Sequence, residues 1–160
     1  SILCSKLPPL LIIGDGSERS NLEEYVSSLR LEKKIIFLGH IEDSILISKY
    51  FSNALLCISP GQAGLSVLTS IANSVPFVTR SDAITGGEIF NLKGDADDIG
   101  IIYNKKEELI DLLCDTIKKR KKFIKMGLNA RQYYVKNRLP QYMIEAILQA
   151  VEYVLGLPNK

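Results

Sequence analysis

The stretch Ser59 to Arg80, SPGQAGLSVLTSIANSVPFVTR, has the residues of a strand end, a glycine-bracketed loop, a helix and a second strand. Before Arg80 it contains no Lys, Asp, Glu, His or Cys, so the chemistry open to it is carried by the main chain. Pro60 stiffens the exit from the strand, and Gly61 and Gly64 permit conformations or close approach that side chains would obstruct. Free N–H groups at the head of the following helix, with the helix dipole, attract phosphate without any charged side chain. A plain strand-to-helix turn accounts for the same residues. Gly14 and Gly16, bracketing Asp15 in GDGSE, have the same two readings. That loop lacks the third glycine of the dinucleotide fingerprint, and no acidic residue about twenty positions on ends a second strand, which argues against NAD.

Other reactive side chains are sparse. His40 is the sole histidine and sits at a strand end, where it is a surface residue or a ligand contact. Glu88 follows Gly86 and Gly87; either mobile glycines present its carboxylate into a cleft, or it is a helix N-terminal Glu stabilised by the dipole. There is no GxSxG elbow, and the lone histidine has no evident partner for nucleophilic catalysis. Cys4, Cys57 and Cys114 lie in apolar surroundings without metal-ligand spacing and are expected to be buried free thiols. The only dense charge cluster is KKRKK, Lys118, Lys119, Arg120, Lys121 and Lys122. It reads as a solvated helix end placed against the C-terminal dipole, or as a contact for anionic membrane lipid. Nucleic-acid binding lacks an aromatic stacking platform.

These residues must be positioned by alternating strands and helices. Leu10–Ile13 is an apolar run suited to a strand buried on both faces. Ser20 is expected to cap a helix from Asn21 to Leu31, with Glu23 completing a capping box. Ile35–Leu38 is the next strand, ending at Gly39, and Asp43 or Ser44 opens a short helix. Ala54–Ile58 is a strand, Gly64–Asn73 a helix, Pro76–Thr79 and Ile99–Tyr103 further strands. Glu107–Ile117, Phe123–Val135 and Gln141–Leu155 have helical spacing, with Pro140 at the last junction. The expected fold is α/β: a Rossmann-like parallel sheet with helices on both faces, closed by C-terminal helices. Ligands of such sheets bind beyond the carboxyl ends of the strands. Four loops leave in that direction: 14–18, 39–43, 59–64 and the segment after Thr79.

The 160 residues, 46% apolar, fit one domain with a substantial core. A net charge of +2 gives no global argument for nucleic acid. No apolar run approaches the ~18 residues that cross a bilayer and no cleavable signal is visible, so a cytoplasmic location is expected. The chain opens almost directly on a strand without an initiator Met and is read as part of a longer protein.

In order, LIIGDGSERSNLEEY, IIFLGHIED, ALLCISPGQAGLSVLTSIANSVPFVTR and GGEIFNLKGDADDIGIIY resemble the C-terminal, donor-binding domain of GT-B glycosyltransferases of the large retaining family 4. The match covers roughly residues 10–103, with a family-like helical tail beyond. The family's E-x7-E pattern is not kept: counting back from Pro76, its positions hold Gly61 and Thr69. The pattern PGxxGLxxxxS is similar to a divergent group of polysaccharide-biosynthesis glycosyltransferases that retain the loop glycines without the glutamates. The family's G-R-L…K segment, whose Arg and Lys clamp the diphosphate, is not found in residues 1–9, and Lys6 is too close to the strand to serve.

The resemblance implies a hexosyltransferase, active as a longer protein with its own N-terminal GT-B domain, while this chain alone is expected to be inactive or nearly so. It implies a UDP- or GDP-linked sugar donor, no cofactor and no metal; GDADD, with Asp95 and Asp98, reads as a solvated turn. Gly14, Gly16, Gly61, Gln62, Ala63, Gly64, Leu65, Thr69 and Glu88 would line the donor and diphosphate site. Gly64 and Leu65 would lend amides, Thr69 a hydroxyl to the ribose, and Gly39, His40 and Ile41 the seat of the nucleobase. Glu88 matches the glutamate of the family's G-x-P-E, with Gly87 in place of proline. The missing carboxylates also fit a degenerate glycosyltransferase-like module that scaffolds a polysaccharide assembly. A nucleotide-sugar epimerase is a weaker fit, because it needs more carboxylates and histidines than this sequence supplies.

Overall fold

The computed structural model describes residues 7–92 and 98–156; Cys4 and Asp95 lie outside them. Five parallel strands alternate with helices. Strand β1 (Leu10–Ile13) pairs with β2 (Ile35–Gly39) in a two-stranded sheet, Leu10 opposite Ile35, with an irregularity between Ile12 and Ile13. Strands β3 (Cys57–Ile58), β4 (Phe77–Arg80) and β5 (Gly100–Tyr103) form a three-stranded sheet in that order. Parallel neighbours require crossovers. Helix α1 (Arg19–Ser28) supplies the one between β1 and β2, α2 (Ser44–Phe51) joins the sheets, and α3 (Ser66–Ala72) connects β3 to β4. A 3-10 turn (Glu88–Leu92) lies between β4 and β5. Helices α4 (Lys106–Lys118), α5 (Arg120–Asn137) and α6 (Pro140–Leu155) complete the chain.

The core lies under the three-stranded sheet. Ala63, Val67, Phe77, Ala83 and Ile89 form one buried cluster, and Ile71, Ile99 and Ala130 a second. Its polar groups are satisfied locally: Ser70 donates to the Val75 carbonyl at 2.8 Å and Thr79 to that of Ser59 at 2.8 Å. Helix α5 lies against α3 at Gly127, where a Cβ would stand 1.9 Å from the Ser74 carbonyl oxygen. Arg131 secures the contact by donating to the Ala72 carbonyl at 2.7 Å.

Several local expectations change. Strand β1 is not buried on both faces: Leu10 is 46% and Ile13 39% exposed, because β2 is the only strand paired with it among the described residues. The capping box at Ser20 does not form. Helix α1 begins at Arg19, so Ser20 lies within its first turn, and the Glu23 carboxylate accepts from Arg19 Nε at 2.8 Å. Asp43 does cap α2, accepting from the amides of Ile45 and Leu46 at 2.8 and 3.2 Å. Strand β3 is shortened to Cys57–Ile58 because the amides of Asn53 and Ala54 close the end of α2 onto the Tyr50 and Phe51 carbonyls.

Candidate functional site

The four loops leaving the carboxyl ends of the strands are tied together in pairs. Gly14 (φ +137°) donates its amide to the Gly39 carbonyl at 2.8 Å, joining the first two. Asp15 accepts from the Gly16 amide at 2.8 Å and from Arg19 at 3.2 Å. The Gly16 amide, with help from the Arg19 charge, holds the Asp15 carboxyl below the ordinary carboxylate range. Gly39 (φ +72°) lies beneath Arg19, whose Nη1 would be 3.1 Å from a Cβ placed there. His40 is exposed and pairs with Glu42 at 3.2 Å; Ile41 is half-buried.

The third and fourth loops run side by side. The Ala63 amide donates to the Ile84 carbonyl at 2.8 Å and the Ile84 amide to the Gly61 carbonyl at 3.1 Å, making a parallel bridge between Gln62 and Ile84. Ala63 is completely buried and anchors the loop in the core. The amides of Gly61, Gln62, Gly64 and Leu65 donate to no group among the described residues. Gly61 and Gly64 are not demanded by backbone conformation, the first of the two roles expected of them; close approach is the other. Neither has a φ in the left-handed region, a Cβ on Gly61 would meet nothing within 4 Å, and one on Gly64 would meet only the Gln62 side chain at 3.7 Å. The space above both is open. Thr69 is half-buried one turn into α3, where its hydroxyl donates to the Leu65 carbonyl at 3.3 Å and keeps its acceptor lone pairs.

Glu88 heads the 3-10 turn, which bears out the helix-terminal reading. Its Oε2 accepts from the Gly86 amide at 3.0 Å and from Thr85 at 3.4 Å, so the glycines fold back on the carboxylate instead of swinging it outward. Oε1 has no protein donor among the described residues. The sequence gives little hint of what holds this turn. Buried Asn91 donates to the Glu88 carbonyl at 2.8 Å, and its Oδ1 accepts from Tyr133 at 3.2 Å and from Arg138 Nε, both on the far side of the chain. Arg19 is the other rim residue that the spacing did not single out. It is the cation nearest the first two loops, already matched by Asp15 and Glu23. No group of three or more His, Cys, Asp or Glu among the described residues is placed to hold a metal ion.

The basic run lies elsewhere. Lys118 ends α4 and Arg120 begins α5. Only part of the run therefore faces a helix C-terminus; Arg120, Lys121 and Lys122 stand in a first turn, against the dipole.

Over the described part of residues 10–103 the order of strands, loops and helices is the one the resemblance requires, and known proteins agree. The fold is similar to that of sucrose-phosphate synthase from Thermosynechococcus elongatus, with a TM-score of 0.76 and 19% identity over 92% of this chain and 38% of that one. It is similar also to Anabaena HepE in complex with UDP, with a TM-score of 0.75 and 17% identity over 95% of this chain and 44% of that one. In sequence, the alpha-monoglucosyldiacylglycerol synthase of Acholeplasma laidlawii is 27% identical over 103 residues, 62% of this chain. The chain spans 24% of the length of that curated relative. Residues 3–119 match the sequence pattern of the glycosyl transferases group 1. With its Rossmann-like half of a GT-B fold, the chain belongs to the glycosyl transferases group 1 family.

Proposed function

We propose that this chain is the donor-binding domain of a glycosyltransferase that moves a sugar from a nucleoside diphosphate to an acceptor hydroxyl in surface polysaccharide or glycoconjugate synthesis. The observation that carries the reading is the open, acid-free space over Gly61 and Gly64, faced by main-chain amides with no partner among the described residues. Unpaired N–H groups at a helix head suit a diphosphate, and the absence of Cβ atoms lets it approach. Relatives bearing names of sugar-transfer enzymes, and HepE in complex with UDP-glucose, support a nucleotide-sugar donor.

In this reading the amides of Gly64 and Leu65 receive the diphosphate, and Gly14, Gly16, Gly61 and Gln62 supply the surrounding main chain, while Ala63, buried and bonded to Ile84, only anchors the loop. The base lies along Gly39, His40 and Ile41, and Thr69 meets the ribose. Oε1 of Glu88 is available to the sugar. Departure of the diphosphate is the demanding step, and amides already aimed at the developing negative charge stabilise it without reorganising. The acceptor domain and the cationic clamp belong to the rest of the protein. The step uses no metal, and transfer is with retention, as the family resemblance implies. A second reading, a scaffold module without turnover, is favoured by one observation: Gly61 and Thr69 stand where the family has carboxylates.

Titration of UDP, UDP-sugars and GDP-sugars into the intact protein, followed by calorimetry or amide NMR, tests the proposal. Gly64→Asp is expected to abolish the response while leaving the melting temperature near the parent's, since the added side chain meets only Gln62. Absence of binding by any nucleotide sugar in the intact protein would overturn it. Binding without sugar transfer would favour the scaffold.

A further inference from the structure

Lys118, Lys119, Arg120, Lys121, Lys122 and Lys125 are all exposed around the junction of α4 and α5. Among the described residues only Lys119 has an acidic partner, Asp115 at 2.7 Å. Lys118 and Lys122 add to the field that holds the Asp115 carboxyl below its ordinary range, after the Lys119 hydrogen bond. Three of these cations occupy the first turn of α5, where the helix dipole disfavours them. Local stability therefore does not account for the cluster.

Apolar side chains are interleaved with the charges. Ile117, Ile124 and Leu128 are 42%, 48% and 56% exposed. Lys121, Ile124, Lys125 and Leu128 have the i, i+3, i+4, i+7 spacing of a single helix face. Beside them a cavity of about 250 Å³ is bounded by Phe51, Leu55, Phe123, Ile124 and Leu128. Val75 and Pro76, which precede β4, line the same cavity. The patch is thus at the amino ends of the strands, opposite the rim of loops.

We propose that this end of the domain docks on an anionic lipid bilayer, its cations on headgroup phosphates and Ile117, Ile124 and Leu128 in the boundary between headgroups and acyl chains. Basic residues framing exposed aliphatic ones fit such an interface. Nucleic acid fits less well: Phe123, the aromatic within the run, is buried, so bases find no stacking surface. The surface does not depend on the donor site, and the two are tested separately.

Co-sedimentation of the protein with phosphatidylcholine vesicles, with and without phosphatidylglycerol, reads the contact. Binding is expected only to the anionic vesicles and is reversed by high salt, as screening requires. The variant K121Q/K122Q/K125Q is expected to weaken partitioning about a hundredfold, about fivefold per residue. I124S/L128S weakens it with every charge retained. Nucleotide-sugar titration and melting of the same variants show whether they remain folded, and release of the unmodified protein by salt needs no variant at all. Failure to bind anionic vesicles, equal binding to neutral ones, indifference to I124S/L128S, or capture of a single-stranded oligonucleotide in preference to vesicles would each overturn the proposal.

Discussion

Replacing Gly127 by alanine sets two effects of opposite sign against each other. Inside an exposed helix the change stabilises by about 1 kcal/mol, because alanine loses less backbone freedom on folding. Here the new Cβ would stand 1.9 Å from the Ser74 carbonyl oxygen, 2.9 Å from its carbon and 3.4 Å from Pro76 Cδ. A carbon–oxygen contact is comfortable at about 3.3 Å, so α5 must retreat by roughly 1.4 Å. The obstacle is backbone and has little room to yield. Ser74 has φ +62° and its amide is bonded to the Ile71 carbonyl at 3.2 Å. Phe123, Met126 and Ala130, all buried, would be drawn out of the core with the helix. Overpacking costs about 1–3 kcal/mol, and a backbone obstacle places this site at the top of that range. The net effect is a loss of about 2 kcal/mol, which for a domain of this size lowers the melting temperature by about 4–8 °C.

Urea unfolding followed by circular dichroism measures the difference directly. An alanine variant as stable as the parent, or more so, would refute the close approach of α5 to α3. The same displacement carries Tyr133 and Arg138 away from Asn91, so nucleotide-sugar affinity should fall together with stability in this variant.

Asn91→Leu is expected to destabilise by about 2 kcal/mol, since it removes an acceptor shared by Tyr133 and Arg138 and the donor to the Glu88 carbonyl. Calorimetry with paired ligands should show a larger loss for the nucleotide sugar than for the bare nucleoside diphosphate, because the turn carrying Glu88 is what loosens. Burial raises the Cys57 thiol from 9.0 to about 11, only partly offset by the Ser70 hydroxyl. Folded protein should therefore resist alkylation at this residue at pH 8 and react once urea is added. Its stabilising contribution is whole below pH 9, where both states keep the proton. It is lost as pH rises toward 11 while the unfolded thiol ionises first, amounting to roughly 2–3 kcal/mol. Cys57→Ala should flatten the stability profile over that window; an unchanged slope would show that the thiol is not the group responsible.

Strand and helix identities were legible because apolar runs and helical periodicity are local signals. LLII, IIFL and the spacing in Lys106–Lys118 each report their own conformation. Boundaries were less so where two local partners compete. Asp43 caps its helix as its sequence position implies, whereas Ser20 loses the role because Arg19 enters the helix and occupies Glu23. The break between Lys118 and Arg120 has no proline or glycine to announce it, so the basic run reads in sequence as one helix end although it belongs to two helices. At the site, the four candidate loops were readable from the rule that parallel sheets bind ligands beyond their carboxyl ends. The Gln62–Ile84 bridge and the links from Asn91 to Tyr133 and Arg138 were not, since they join residues distant in sequence.

The charges on the rim largely cancel among themselves. Arg19 is shared by Asp15 and Glu23, Arg80 is matched by Asp82, and His40 faces Glu42. Neither guanidinium, Arg19 nor Arg80, is left over for a diphosphate, and the first trio has more acid than base. What remains unpaired among the described residues is the amides of Gly61, Gln62, Gly64 and Leu65, whose attraction for an anion is dipolar and short-ranged. The donor site proposed above would discriminate by shape, taking a diphosphate that can reach the glycine main chain and giving little long-range pull. Rapid, tight capture of a doubly charged donor then has to draw on cations from outside this rim, which is why nucleotide binding is to be measured on the intact protein.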